Sequence, residues 1–308
     1  MSLPGKLLIS TLKKVPYVKR LIERIHEFEK YNGFPPGHYY SPLVEPQEYL
    51  EARNRLLSQG VNFPKEIFID EIKQKEILRE LKPLYDEMPF ENERKKGYRY
   101  FLNNEFFSYS DAITLYGFIR LYKPKRIIEI GSGFSSALIL DTTEHFLNNS
   151  VDLTFIDPNP ERLFETLKKT DKTKILQNKI QDVDISVFKD LAEGDFLLID
   201  TSHVSKSGSD VNHIYFNILP FLQKGVKIHI HDIFFPFEYP EKWVIQEKRS
   251  WNEIYFLRAF LTYNETFKIQ FFNDFIQEKE KDYLLKEMPL FLERGTRICG
   301  GIWLEKIK

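Results

Sequence analysis

The chain of 308 residues holds one cysteine, Cys299. A lone cysteine excludes an intrachain disulfide and any thiolate-based zinc cluster, and Cys299 is expected as a small residue in a buried strand. An excess of either charge is also missing: 44 Lys and Arg stand against 45 Asp and Glu, for a net charge of -1. No overall field therefore points to nucleic acid or an anionic membrane as partner. No apolar run approaches the ~20 residues that span a bilayer. The N-terminus carries Lys6, Lys13, Lys14, Lys19 and Arg20 without the apolar core and cleavage site of a secretory signal. A cytoplasmic protein is expected, with an amphipathic helix resting on a membrane or partner as an unsupported alternative. Internal repeats and low-complexity tracts are absent as well.

Aromatic residues are plentiful, with 27 Phe and 16 Tyr. This content suits a packed protein whose cleft is walled with rings. Residues 1–110 form a helical N-terminal extension, with helices expected over Leu7–Lys30, Pro46–Gln59 and Lys65–Leu84 and an aromatic, turn-rich loop over Tyr31–Glu45. From Asp111 to the C-terminus strands and helices alternate, the mark of a parallel α/β sheet. Strands are expected at Arg126–Ile130, Asp152–Ile156, Thr173–Leu176, Phe196–Asp200 and Val226–His231. The helices between them fall at Phe134–Leu147, Pro160–Lys169, Val187–Ala192 and Gly208–Leu222, and another at Trp251–Tyr263. Strands at Phe267–Phe272 and Ile298–Leu304 read as an edge pair. Right-handed crossovers make the first five strands a doubly wound sheet, with a ligand crevice at their C-terminal ends.

The most informative stretch is Ile127-Ile-Glu-Ile-Gly-Ser-Gly-Phe-Ser-Ser136. An apolar strand breaks into Gly-x-Gly and enters a helix whose first N–H groups are free to meet a ligand. Gly131 and Gly133 permit a sharp turn and a close approach to the main chain. Glu129, a carboxylate inside a buried strand, requires a cationic or hydrogen-bonding partner. Asp157 closes the second strand, where an acid accepts two ribose hydroxyls; capping the next helix is the alternative, a role that Asn159 fills better. Asp182, after the third strand, reads equally as an acceptor for an adenine amino group or as a solvated loop residue.

The fourth strand ends in Asp200-Thr-Ser-His203 and the fifth in His229-Ile-His231-Asp232. As neighbours, these strands bring Asp200 and Asp232 together beside the crevice, where a cation or shared proton must relieve their repulsion. A hard divalent cation is one answer. His203 is placed for a general base, and His229 shares a face with His231. The alternatives are loop capping for the aspartates and carbonyl bonding for the histidines. The loop Phe234–Trp243 offers either a substrate wall or a packing element.

In their order these signals resemble a class I S-adenosylmethionine-dependent methyltransferase: Glu129-Ile-Gly-Ser-Gly133 is similar to its first motif and Asp157 to the acid after its second strand. Three blocks, Ile199–Val211, His229–Pro236 and Trp251–Phe260, resemble a bacterial methyltransferase-domain family, as does the upstream segment Gly37–Pro42. The resemblance implies a Rossmann-like seven-stranded sheet, mostly parallel with the last strand antiparallel. It further implies that Gly131, Ser132, Gly133 and Ser135 hold the methionine end of S-adenosyl-L-methionine, with Glu129 on its amino group and Asp157 on its ribose. Metal-dependent O-methyltransferases of the catechol type suggest Mg2+ or another divalent cation on Asp200 and Asp232. Here His203 stands in place of their lysine base and Ile233 in place of an asparagine ligand, which leaves His231 or a water to complete the set.

The expected reaction is O-methylation of a small-molecule or saccharide hydroxyl, with His203 as base, Asp200 positioning the acceptor, and loops Tyr31–Pro42 and Phe234–Trp243 as a lid. A homodimer could form through the aromatic N-terminal arm. An NAD-dependent oxidoreductase is the first rival, against which Ser136 stands where a third Gly or Ala is wanted. A catalytically inactive scaffold is the second.

Overall fold

A computed structural model describes residues 15–31, 33–58, 65–293, 298 and 300–308. Cys299 and the start of the expected Leu7–Lys30 helix lie outside the described residues. Contacts divide the chain into two units, Met1–Val61 with Glu241–Ser250 and Asn62–Pro240 with Trp251–Lys308. The boundary expected at residue 110 falls inside the larger unit.

In the smaller unit, helix α1 (Pro16–Tyr31) and helix α2 (Pro46–Ser58) flank the aromatic loop. Within that loop Phe34 stacks on His38 at 4.8 Å and His38 on Tyr39 at 4.2 Å. Arg53 of α2 pairs with Glu241 at 2.7 Å.

The larger unit begins with α3 (Glu71–Asp86), which starts later than expected because Asp70 caps it, accepting from the Lys73 N–H. It buries Ile77, Leu78 and Leu81, and Gln74 accepts a hydrogen bond from the Phe272 N–H. Those contacts pack α3 against the sheet. Next comes α4 (Tyr109–Tyr122), a helix buried over most of its length. The alternating region then runs β1 (Arg126–Ile130), α5 (Phe134–Phe146), β2 (Asp152–Ile156), α6 (Glu161–Thr166), β3 (Thr173–Leu176), α7 (Ser186–Lys189), β4 (Phe196–Ile199), α8 (Asp210–His213) and β5 (Lys227–His231). The helix expected over Gly208–Leu222 is broken: α8 passes into a π-helical turn and then a 3-10 turn that holds Pro220. Helix α9 (Glu253–Leu261), β6 (Phe267–Phe272), α10 (Asn273–Lys279), α11 (Lys281–Glu287) and β7 (Gly301–Lys306) complete the unit.

All seven strands join one sheet in the order β3-β2-β1-β4-β5-β7-β6. The first five are parallel, and β7 runs antiparallel between β5 and β6. Strand order reverses between β1 and β4, which opens the crevice at the ends of these strands. The registers Ile130↔Ile199 and Ile199↔Ile230 bring Gly131, Asp200 and His231 to one level. The Phe234–Tyr239 segment points its rings inward: Phe235 and Phe237 meet Phe272, and Tyr239 meets Trp251. Among the described residues no helix is long and apolar enough to cross a membrane.

Candidate functional site

A crevice of about 410 Å³ opens over the switch point, lined by Gly131, Asp157, Lys179, Gln181, Asp200 and Ser202, among others. At Gly131, with φ of +83°, a Cβ would stand 2.1 Å from the Asp200 carbonyl oxygen. Only glycine lets the ends of β1 and β4 approach this closely. Asp157 ties down the turn that follows. Its Oδ2 accepts from the Ser132 N–H at 2.8 Å and the Ser132 hydroxyl at 3.0 Å, and its Oδ1 accepts from the Asn159 N–H at 2.7 Å. Asp182 is exposed in the turn after β3. Its neighbours Lys179, Ile180 and Gln181 line the crevice, whereas Asp182 is not among the lining residues.

Glu129 is fully buried in β1. Ser136, in the first turn of α5, donates its hydroxyl to Glu129 Oε2 and accepts from the Gly133 N–H at 2.9 Å. Burial raises the Glu129 carboxyl to about 8; Ser135 and Ser136 oppose the rise, and the nearby charges of Asp200 and Asp157 add to it. Glu129, Ser135, Asp200, His229 and His231 line a small pocket with Phe107.

The ends of β4 and β5 carry a denser cluster. His203 Nε2 lies 3.2 Å from Asp200 Oδ1 and 3.5 Å from Asp232 Oδ2, and its Nδ1 is 2.9 Å from Glu253 Oε2. His231 mirrors this arrangement, with Nε2 3.2 Å from Asp111 Oδ2 and Nδ1 3.6 Å and 3.8 Å from Asp200 and Asp232. His203 and Asp232 both hold left-handed backbone, φ +57°, a strained setting for residues with side chains. Burial disfavours a charged His203, but bonds to Asp200 and Glu253 outweigh it and lift the ring to about 10. Burial likewise opposes charge on His231, yet Asp232 and Asp200 carry it well above the usual histidine range. The Asp200 carboxyl is held well below its ordinary value, since the His231 charge and the His203 bond overcome burial. Burial wins at Asp232, which is raised. His229 falls to about 3 through burial and the neighbouring His231 charge; its Nε2 has no hydrogen-bond partner among the described residues.

The sequence pattern thus located Asp200, His203, His231 and Asp232 in one cluster. It missed Glu253 and Asp111, which come from α9 and α4, and the serine that holds Glu129. A separate group, Asp141, Glu144 and His145, has donor atoms within 4.8 Å of one another. Asp141 and Glu144 are already taken, by buried Arg99 at 2.6 and 2.7 Å and by Lys168 on Glu144 at 2.8 Å.

Residues 128–233 match the profile of a methyltransferase-domain family. An uncharacterized protein of Archaeoglobus fulgidus is 32% identical over 168 residues, which are 52% of this chain and 74% of that protein. Among solved structures, the plantazolicin methyltransferase BpumL in complex with a pentazolic desmethylPZN analog and SAH is 18% identical, with 63% of this chain and 84% of that chain covered at a TM-score of 0.43. The O-methyltransferase TomG of Streptomyces achromogenes, in complex with SAM, is 13% identical over 86% of this chain and 99% of its own, TM-score 0.39. These two likenesses are too distant to bear on the chemistry. The family profile, the archaeal relative and the order of motifs along the sheet carry the assignment: the chain belongs to the class I S-adenosylmethionine-dependent methyltransferases.

Proposed function

We propose that the protein methylates a hydroxyl oxygen of a small molecule or saccharide, with His203 as the base that takes the hydroxyl proton. The observation that carries this reading is the buried His203 imidazole, whose Nε2 faces Asp232 and Asp200, the latter a crevice-lining residue. Three features support S-adenosylmethionine as the ligand: Gly131 keeps the main chain open, Asp157 lines the crevice after β2, and Glu129 is a buried acid that a cationic group could ionise. In this reading Glu129, Gly131, Ser132, Gly133 and Ser135 hold the methionine end and Asp157 the ribose.

The bound cofactor supplies a methyl group on a sulfonium, activated for transfer and leaving as a neutral thioether. Asp200 accepts a hydrogen bond from the acceptor hydroxyl and aims its oxygen lone pair at the methyl carbon. As the new C–O bond forms, the hydroxyl proton passes to His203 Nε2. His203 must first lose a proton of its own. Positive charge brought beside Asp200 opposes the charge on the ring and favours that loss. A hard cation such as Mg2+ has no place in this scheme. Asp200 and Asp232 already face two imidazoles, each braced by a further carboxylate, and this mixed set does not suit a hard ion that prefers oxygen.

The test compares binding of S-adenosylmethionine and of NAD by calorimetry, then transfer of labelled methyl to a panel of phenols and saccharides. Wild type should bind the first cofactor and form a methyl ether. His203→Asn should bind equally well and transfer at least 100-fold more slowly. Unchanged turnover in that variant, or a methyl found on nitrogen or carbon, overturns the reading.

A further inference from the structure

Glu253 lies 50 residues beyond His203 in sequence yet touches it, and no motif foretold the contact. Its side chain is fully buried at the first turn of α9. Oε2 accepts from the Thr201 hydroxyl at 2.6 Å and meets His203 Nδ1 at 2.9 Å, while the Thr201 hydroxyl accepts from the His203 N–H at 2.9 Å. The backbone repeats the connection. The His203 carbonyl accepts from the N–H groups of Asn252 and Glu253 at 3.0 and 3.1 Å, and Asn252 Oδ1 accepts from the Ser205 N–H at 2.6 Å. Trp251 covers the ring, with centroids 4.3 Å apart.

We propose that Glu253 is the positioning residue of the transfer reaction: it fixes His203 with Nδ1 protonated and Nε2 directed to the acceptor. The inference rests on the base role proposed above for His203. Carboxylates face both nitrogens, but Glu253 is fully buried and lies 2.9 Å from Nδ1 against 3.2 Å from Nε2 to Asp200, so the ring that gives up one proton keeps the one on Nδ1 and frees the lone pair on Nε2. Nε2 is the nitrogen that points at Asp200 and Asp232. The other tautomer would break the bond to Glu253 and press the Nδ1 lone pair against its carboxylate. The structure has cheaper ways to anchor this loop, for it already uses Asn252 for that purpose. A fully buried acid beside an imidazole is costly unless its charge serves that ring. Glu253 also sits where the helix N-terminus favours negative charge.

The experiment uses the full chain with 15N-labelled histidine, and transfer assays on the acceptor found above. Wild type should show His203 protonated at Nδ1 when its ring is neutral. Glu253→Gln should show a mixture of tautomers, lower kcat about 10- to 100-fold and leave KM within threefold. Combined with His203→Asn, Glu253→Gln should add no further loss, since both changes remove one function. A merely structural Glu253 would instead multiply the loss and leave the tautomer unchanged. Thr201→Val, which removes the hydroxyl bond to the same carboxylate oxygen, should give a smaller loss of the same kind and serves if Glu253→Gln does not fold. If Glu253→Gln and Thr201→Val keep both the wild-type tautomer and wild-type kcat while His203→Asn is inactive, the positioning role is refuted and the base survives. If His203→Asn is active, the base itself is refuted.

Discussion

If Glu129 pairs with the cofactor's amino group as proposed, its raised carboxyl makes cofactor binding release a proton. Glu129, raised by burial to about 8, is roughly 90% protonated at pH 7. Ionising it there costs about 1.4 kcal/mol, one unit of pH, which an ammonium group held against it readily offsets. S-adenosylhomocysteine is the ligand of choice, because it carries the amino group without the sulfonium that would disturb His203. Its binding should release close to 0.9 proton at pH 7, and the release should fall as pH rises through about 8, where the free carboxyl ionises. Calorimetry in buffers of different ionisation enthalpy reads this number directly. Glu129→Gln should bind more weakly and lose most of the release. The stability of the free protein has a matching sign. Because the folded value lies above the ordinary 4.5, the contribution of Glu129 is complete below that pH and is lost as pH rises through about 8. The difference in melting temperature between wild type and Glu129→Gln should therefore move against wild type over that window. Equal proton release by the two proteins, or none at pH 7, would refute the assignment of Glu129 to the amino group.

Three further outcomes follow from the geometry. Gly131→Ala places a methyl 2.1 Å from the Asp200 carbonyl in a left-handed backbone, so S-adenosylhomocysteine affinity should fall more than tenfold by calorimetry; wild-type affinity would exclude the tight approach of β1 and β4. Asp157→Asn turns one accepting oxygen into a donor and so breaks the bonds to Ser132 or to Asn159; under the proposed ribose role it should cost about 1–2 kcal/mol of cofactor binding by calorimetry, and wild-type affinity would remove Asp157 from the cofactor site. Arg99→Leu strands Asp141, whose side chain is fully buried, and should destabilise the fold by about 3–5 kcal/mol in urea denaturation; a loss under about 1 kcal/mol would show that the network around Arg99 is not what holds residues 98–101 to α5.

Strands β1, β2, β4 and β5 were readable because Gly131, Asp157, Asp200 and Asp232 stop their runs, and β1, β2, β3 and β6 begin and end where the pattern places them. Helix α4 was not. Its residues 109–119 are buried on every side, so no polar face marks the period of 3.6 that reveals a helix. The same physics hid half of the site. Motif reading works along one chain segment, and it found the acids and histidines that follow β4 and β5. The partners Glu253 and Asp111 lie 50 and 120 residues from the histidines they meet, and a lone acid at the start of a helix looks like ordinary helix-end electrostatics. Ser136 was read only as the absence of a third glycine, although its hydroxyl is what holds Glu129 in place. The aromatic loop after β5 was open between a substrate wall and packing, and Phe234, Phe237 and Tyr239 are buried.

The charge around the crevice gives a direction to the whole cycle. Asp157 and Asp200 line the crevice itself, and Asp232, Glu253 and Asp111 stand behind, facing two histidines. Such a site favours a ligand that arrives positive. In the proposed reaction the sulfonium disappears at the moment of transfer, while His203 takes up a proton. The positive charge does not leave the cluster; it moves from cofactor to imidazole, where Asp200 on one side and Glu253 on the other are already placed to hold it. Stabilisation that grows as the ring becomes charged acts on the transition state more than on the bound reactants, which is the condition for accelerating the step. The neutral thioether then keeps its amino and ribose contacts but loses its attraction to Asp200. In the proposed reaction, then, the acids that attract the cofactor also hold the proton afterward and lose their attraction for the spent product.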